Sequence, residues 1–435
     1  MSLWSQAQRA AELTPAYRNR SADFFRAAAI TIVVVGHWIV SVPRYVDGGL
    51  QFTELLVEQP SIQYVTWLVQ VMPIFFLVGG YSNAASWASA QSDSEKRQAW
   101  QFSRLKRLLM PITPLILVWT AFAAIAGMLE FDPDLIRLAS RSALIPVWFL
   151  AVYIMVSVAV PVSQAAWERF GLWSIAFLVC GAALIDYAGF GASHGWARWI
   201  NYAFVWLGMH QLGYWWHRGI ETKLGPLVLL GLGLVSLYTL IWVLDYPISM
   251  ISVPDEEISN SRPPTFAMLA IGFIQAGVIL LLTGRVAKWL EIPRPWAVVI
   301  LVSQRIMTVY LWHLTALLIL VGVSILAGGL GLKMTPGSAE WWLTRPLWLG
   351  AMALVLLPLI AIFGSLEAGS RNAGSIPPGP IRSTLGAVLA CAGLTFMALN
   401  GTYGDNWLGI NFIPIALTLA GVALATISRK AHTDE

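Results

Sequence analysis

The sequence predicts an all-α fold, a polytopic transmembrane helical bundle of about twelve spans, on three observations. The 435-residue chain is 57% hydrophobic and only 11% charged, where about a quarter of a soluble domain is charged. Its apolar residues fall in runs of about twenty, the length a helix needs to cross a hydrocarbon core of roughly 30 Å. Most of its 27 Lys and Arg residues lie in alternate gaps between those runs. The positive-inside rule then puts both termini in the cytoplasm.

The runs lie near 24–43, 62–82, 108–129, 144–162, 172–190, 199–217, 226–244, 265–283, 297–325, 345–364, 382–399 and 408–427. Proline and glycine punctuate the joins, as at Pro263-Pro264, Pro293, Pro336-Gly337 and Pro377-Pro378-Gly379. Residues 1 to 20 are polar and basic, and no small-residue cleavage pattern follows the first run, so it is expected to remain as an anchor. The longest hydrophilic stretches, 83–107 and 245–264, are too short for a soluble domain. There is no internal repeat of the kind that builds two-halved transporters.

Composition also excludes. The net charge of +4 is distributed by membrane side, which leaves no basic face for nucleic acid. Cys180 and Cys391 lie in apolar runs and act as small hydrophobes. No His/Cys/Asp cluster has metal-ligand spacing, so no metal is expected. The acidic exterior loops, Glu130 to Asp134 and Asp255-Glu256-Glu257, are solvated loops that favour neutral or cationic acceptors slightly.

The first run carries Asp23, Arg26 and His37. At about 100° per residue, Arg26 and His37 fall roughly 20° apart around the helix, with Asp23 within about 60° of both. Along the axis Arg26 and His37 are roughly 16 Å apart, which places His37 deep in the other half of the span. Each has an ordinary use alone: Arg26 as a topogenic charge, His37 as a helix-to-helix hydrogen bond. Three ionisable groups on one face of a membrane helix are costly and point to function.

The second run ends Met72-Pro-Ile-Phe-Phe-Leu-Val-Gly79-Gly80, where paired glycines admit a ligand or a neighbouring helix. The hydrophilic stretch after it holds Lys96, Arg97, Arg104, Lys106 and Arg107. Arg104 and Arg107, three apart, share a helical face and suit phosphate, from a ligand or from lipid headgroups. Trp148-Phe149-Leu150 opens the fourth run, as interfacial aromatics often do. The sixth holds Asn201, His210 and Gln211, with His210 deep enough to line a cavity or to bond a neighbouring helix. The ninth reads Ser303-Gln-Arg305-Ile-Met-Thr-Val-Tyr310-Leu-Trp-His313. A buried Arg305 needs an anion, and the ligand, Asp23 and Asp186 are the candidates.

These motifs resemble the acyltransferase-3 family, integral membrane proteins that acylate envelope sugars, lipids and secondary metabolites. The matching elements are Arg26 and His37 separated by ten residues, the Phe-rich second run, Arg104-x-x-Arg107, Trp148-Phe149-Leu150 and Tyr310-x-x-His313. Gly79 stands where the family usually has Ser, so any role of that hydroxyl is not carried over. The resemblance covers roughly residues 15 to 365. It implies a cytoplasmic segment 1–22, a ten-helix acyltransferase core 23–365, and two additional membrane helices with a cytoplasmic tail over 366–435.

What the resemblance implies is transfer of an acyl group, acetyl being expected, from cytoplasmic acyl-CoA. The acceptor would be a hydroxyl, less readily an amine, of an envelope glycan, a lipid or a glycosylated small molecule, at a bacterial cell membrane. Acyl-CoA is a co-substrate; no tightly bound cofactor, metal or nucleic acid is implied. His37, with Asp23, would be catalytic, as general base or acylated nucleophile. Arg26, Arg104 and Arg107 would hold the CoA phosphates, and Ser303, Arg305, Tyr310, His313 and His210 would line the substrate cavity. The rival is a transporter or flippase for an anionic or lipid-linked substrate. It explains many spans and a buried Arg, but not Arg26 and His37 combined with a basic Arg-x-x-Arg.

Overall fold

In the computed structural model, residues 1–2, 16, 192–194, 220–221, 255, 368–374 and 431–435 lie outside the described part. Asp255 of the acidic loop and the end of the expected C-terminal tail are therefore outside it. The chain is helical almost throughout, as its apolar runs require, because lipid can satisfy no backbone polar group.

In chain order, α1 (Leu3–Glu12) and α2 (Arg20–Val40) lead into a hairpin, β1 (Ser41–Val46) and β2 (Gly49–Glu54). There follow α3 (Leu55–Glu58), α4 (Thr66–Val69), α5 (Met72–Trp87), α6 (Ser94–Leu109), α7 (Ile112–Met128), α8 (Pro133–Ala143), α9 (Ile145–Val158) and α10 (Val160–Phe170). Next come α11 (Leu172–Asp186), α12 (Asn201–Arg218), α13 (Leu224–Trp242), α14 (Phe266–Trp289), α15 (Pro293–Ser303), α16 (Ile306–Leu326) and α17 (Ala339–Glu367). Two-residue strands β3 (Ser375–Ile376) and β4 (Arg429–Lys430) pair around α18 (Pro380–Asn400) and α19 (Phe412–Thr426).

The span count differs from expectation. Among the described residues nine helices are long and apolar enough to cross a membrane, or ten if the bent pair α8 and α9 is one span. The expected span at 408–427 is the shorter apolar helix α19, and the expected ninth, 297–325, keeps α16 as a span while its first part is the short α15. The expected span at 199–217 is α12, whose Asn201, His210, Gln211, His217 and Arg218 dilute its hydropathy.

Three local corrections have physical reasons. The hydrophilic stretch 83–107 is mostly helix, because α5 runs on to Trp87 and Asp93 caps α6 by accepting from Glu95 N–H at 2.8 Å. The expected continuous ninth span is broken at Gln304-Arg305. There α16 begins afresh, its first amides satisfied by a carboxylate: Met307 N–H and Thr308 N–H donate to Glu367, both at 3.0 Å. The hairpin was unforeseen, although Asp47-Gly48 is its signal: both residues have positive φ, 52° and 80°, which a two-residue turn of the tight hairpin type needs.

The chain divides into two units. The first comprises residues 1–85, 160–306 and 334–342. In it α1 packs on α15 through Ala7, Ala11, Trp296 and Ala297, and Ala27 of α2 joins the same apolar cluster. Helices α5 and α12 cross at glycine: a Cβ on Gly80 would fall 1.8 Å from the His210 carbonyl oxygen. Of the two uses open to the paired glycines, Gly80 thus serves close helix packing.

The second unit comprises residues 86–159, 307–333 and 343–435. Helices α18 and α19 pack backbone to backbone at Gly386, Gly393 and Gly421. They are tied to the rest of this unit: Cys391 Sγ lies 3.3 Å from the Ala151 carbonyl of α9. From α6, Gln101 Nε2 donates to Thr384 Oγ1 at 3.0 Å, and Gln98 Nε2 to Pro377 O at 2.9 Å.

Candidate functional site

Helix α2 is unbroken from Arg20 to Val40, so Asp23, Arg26 and His37 do share one helix as the spacing requires. Its start is fixed by Asn19, whose side chain accepts from Ala22 N–H. Arg20 Nη1 donates to Leu290 O at 2.7 Å, and Ser21 Oγ to Thr283 O at 2.9 Å.

At this end Asp23 is buried and doubly paired. Arg18 Nε donates to one carboxylate oxygen at 2.6 Å, and Arg26 Nη2 donates to the other. Arg18 and Arg20 lie over the Trp296 ring, 5.7 and 5.3 Å from its centroid. Asp23 therefore fixes two guanidinia, and Arg26 still has a buried Nε without a hydrogen-bond partner among the described residues. The ion pair answers the question of what neutralises Arg26 and leaves part of its donor capacity for a ligand.

His37 lies at the opposite end. The helix stops three residues later, where Ser41 N–H donates to the His37 carbonyl, so the imidazole sits in the last turn rather than deep within the span. Directly beyond it the hairpin pairs Ser41 with Glu54 across its strands. Val42, Leu55 and Trp341 form a buried cluster, with Ile39, Ile62 and Met334 packed on it, and this holds the hairpin onto the end of α2.

Three groups missed by sequence reasoning, Arg262, Glu54 and Tyr202, are linked electrostatically near this end. Arg262, exposed in the stretch before α14, is close enough to act electrostatically on His37, Glu54 and Tyr202. Glu54 is half-buried, and burial pushes its carboxyl up to about 7 against the opposing pull of Arg262. Among the described residues its carboxylate accepts no hydrogen bond. A signal existed: Glu54 is a lone carboxylate in Leu50-Gln-Phe-Thr-Glu-Leu-Leu56, which otherwise alternates towards an apolar anchor.

The other expected residues fall on several elements of both units. Arg305 is not buried in a helix; it stands half-exposed in the break between α15 and α16. It forms no ion pair among the described residues, and both candidate anions are engaged elsewhere. Asp23 pairs with Arg18 and Arg26; buried Asp186 accepts from Asn201 Nδ2 at 2.7 Å, Tyr246 OH at 3.1 Å and Phe266 N–H at 2.6 Å. Ser303 ends α15, its Oγ buried without a partner among the described residues. His210 is fully buried and its Nε2 accepts from Asn83 Nδ2 at 3.1 Å, at the α5 and α12 crossing.

Tyr310, His313, Arg104 and Arg107 belong to the second unit. Tyr310 OH donates to Pro146 O at 2.7 Å, and His313 Nδ1–H donates to Tyr310 O at 2.7 Å. Both side chains are buried. On α6, Arg104 donates to Ser86 Oγ at 2.5 Å and lies over the Trp100 ring at 5.6 Å. Arg107 is exposed. Among the described residues no group of three His, Cys, Asp or Glu could hold a metal ion.

Comparison with known proteins adds one finding. Residues 19–365 match the family model described as an acyltransferase domain. No curated protein and no solved structure matches.

Proposed function

The chain belongs to the acyltransferase-3 family, a family of membrane acyltransferases, and on that premise we propose that it moves an acetyl group from cytoplasmic acyl-CoA to a hydroxyl of an envelope glycan, lipid or glycosylated small molecule. The observation that carries this reading is α2, which has a guanidinium with spare donor capacity near one end and an imidazole beside a polar patch at the other.

In this proposal Arg26, Arg104 and Arg107 bind CoA phosphates, for which charge-assisted, forked donors are suited. His37 accepts the proton of the acceptor hydroxyl as its oxygen attacks the thioester carbonyl. The C–O bond forms, the C–S bond breaks, and the sulfur leaves as CoA thiol on taking up a proton. Asp23, about 20 Å along the helix from His37, works through Arg26 and not through the imidazole.

The test is thiol release. Native membranes containing the protein, given acetyl-CoA, are expected to liberate free CoA and to retain label from the acetyl group. Uptake or flipping without CoA release would refute an acyltransferase.

A further inference from the structure

Resting on that reading, we infer that Glu54 is the acceptor-binding carboxylate of this protein, which with Arg262 and Tyr202 holds a neutral hydroxyl-bearing acceptor beside His37.

The hairpin places it. Ser41 N–H donates to the His37 carbonyl, and Glu54 is Ser41's partner across the two strands, so the Glu54 backbone lies about one helical turn beyond that of His37. The position is rigid, because Leu55 and Leu56, next in sequence, are fully buried and the Leu55, Val42 and Trp341 cluster clamps both strands. Arg262 acts electrostatically on Glu54, His37 and Tyr202, all in the first unit, and so lies within reach of each.

Its chemistry indicates what it binds. A half-buried carboxylate has lost much of its water and is normally repaid by hydrogen-bond donors. Asp23 and Asp186 each have such donors; Glu54 has none among the described residues. Hydroxyls supply them, since a carboxylate accepts from two O–H groups at once. An anionic acceptor would instead meet its negative charge. Removing that charge while Arg262 remains turns the patch net positive.

The experiment uses the full-length protein in phosphatidylcholine nanodiscs at pH 8.5 with saturating acetyl-CoA. The probes are octyl β-D-glucoside below its micellar concentration and its anionic counterpart, octyl β-D-glucuronide, with CoA release as the readout. The wild type is expected to prefer the glucoside. Glu54→Gln should raise the KM for glucoside roughly ten- to a hundred-fold, as for a lost hydrogen bond to a charged group. It should also shift preference towards the glucuronide and leave the KM for acetyl-CoA and the melting temperature unchanged. Glu54→Asp should retain part of the wild-type preference, and Tyr202→Phe should raise the glucoside KM without altering charge preference. The inference is overturned if Glu54→Gln leaves the glucoside KM within about twofold, or if it changes both substrates' KM equally. It is also overturned if wild type ignores the glucoside while releasing CoA on native membranes. No CoA release by wild type on either acceptor or on native membranes would instead sink the acyltransferase reading itself.

Discussion

The two ends of α2 each carry a carboxylate near a basic group, and they differ in how those carboxylates are satisfied. Asp23 is buried between two guanidinia that occupy both of its oxygens. Glu54, on the hairpin that follows the helix, has one guanidinium at longer reach and no hydrogen-bond donor among the described residues. A saturated ion pair fixes positions and does little else; an unsatisfied carboxylate keeps acceptor capacity for a ligand. The difference teaches that the Asp23 end holds two cations still, while the carboxylate at the Glu54 end keeps unused acceptor capacity.

The strongest way to break this division is to remove the imidazole. His37→Ala is expected to lower acyl transfer by about 10² to 10⁴, the usual worth of a general base, with acyl-CoA affinity unchanged. Arg26 lies roughly 16 Å away along the helix. Equilibrium binding of acetyl-CoA alongside CoA release reads both quantities. A variant that keeps near-full transfer would make His37 a packing residue.

Next in size are the arginines of α6. Arg104→Ala and Arg107→Ala should each weaken acyl-CoA binding about ten- to a hundred-fold, as for a charge-assisted phosphate contact. They should differ in stability. Arg104 also bonds Ser86 and covers Trp100, so its loss should lower the melting temperature, while exposed Arg107 should leave it alone. Normal affinity in both variants would make this a lipid-anchoring face.

About tenfold is expected from pH. With its carboxyl pushed up to about 7, Glu54 is charged above that pH and protonated below it. By pH 6 only about a tenth remains ionised, so the acceptor KM should rise about tenfold between pH 8 and 6. Arg262 opposes the upward shift, so Arg262→Gln should move this limb to higher pH. His37 and Tyr202 share the neighbourhood, and the control that isolates Glu54 is Glu54→Gln, whose acceptor KM should lose the limb.

Much of this was legible in the sequence, for identifiable reasons. Helical rotation put Asp23, Arg26 and His37 on one face, and the helix is indeed continuous through all three. The family followed from the same residues and from Arg104-x-x-Arg107, and the match over 19–365 agrees. What periodicity could not supply was where a helix ends. An apolar run says nothing of the carboxylate that lets a new helix begin, so Glu367 hid the break at Arg305. Likewise the first run, expected to reach residue 43, stops at Val40, where the Asp47-Gly48 turn folds the next residues back. Glu54 and Arg262 are far apart in sequence, and only the fold brings Arg262 within electrostatic reach of Glu54 and His37.

The smallest expected effect tests the comparison most sharply. Asp23→Asn keeps the shape and one acceptor oxygen but removes the charge that fixes Arg18 and Arg26. Partly exposed ion pairs are worth about 1 kcal/mol or less, and Arg26 would keep its place on the helix. Stability should therefore fall only slightly, and the KM for acetyl-CoA should change by less than about tenfold as the freed guanidinium loses its fixed aim. Turnover at saturating acetyl-CoA should stay near wild type, because the carboxylate is about 20 Å along the helix from His37. A fall in turnover as deep as that of His37→Ala would mean that Asp23 takes part in the proton transfer. The two ends of α2 would then be one catalytic system rather than two.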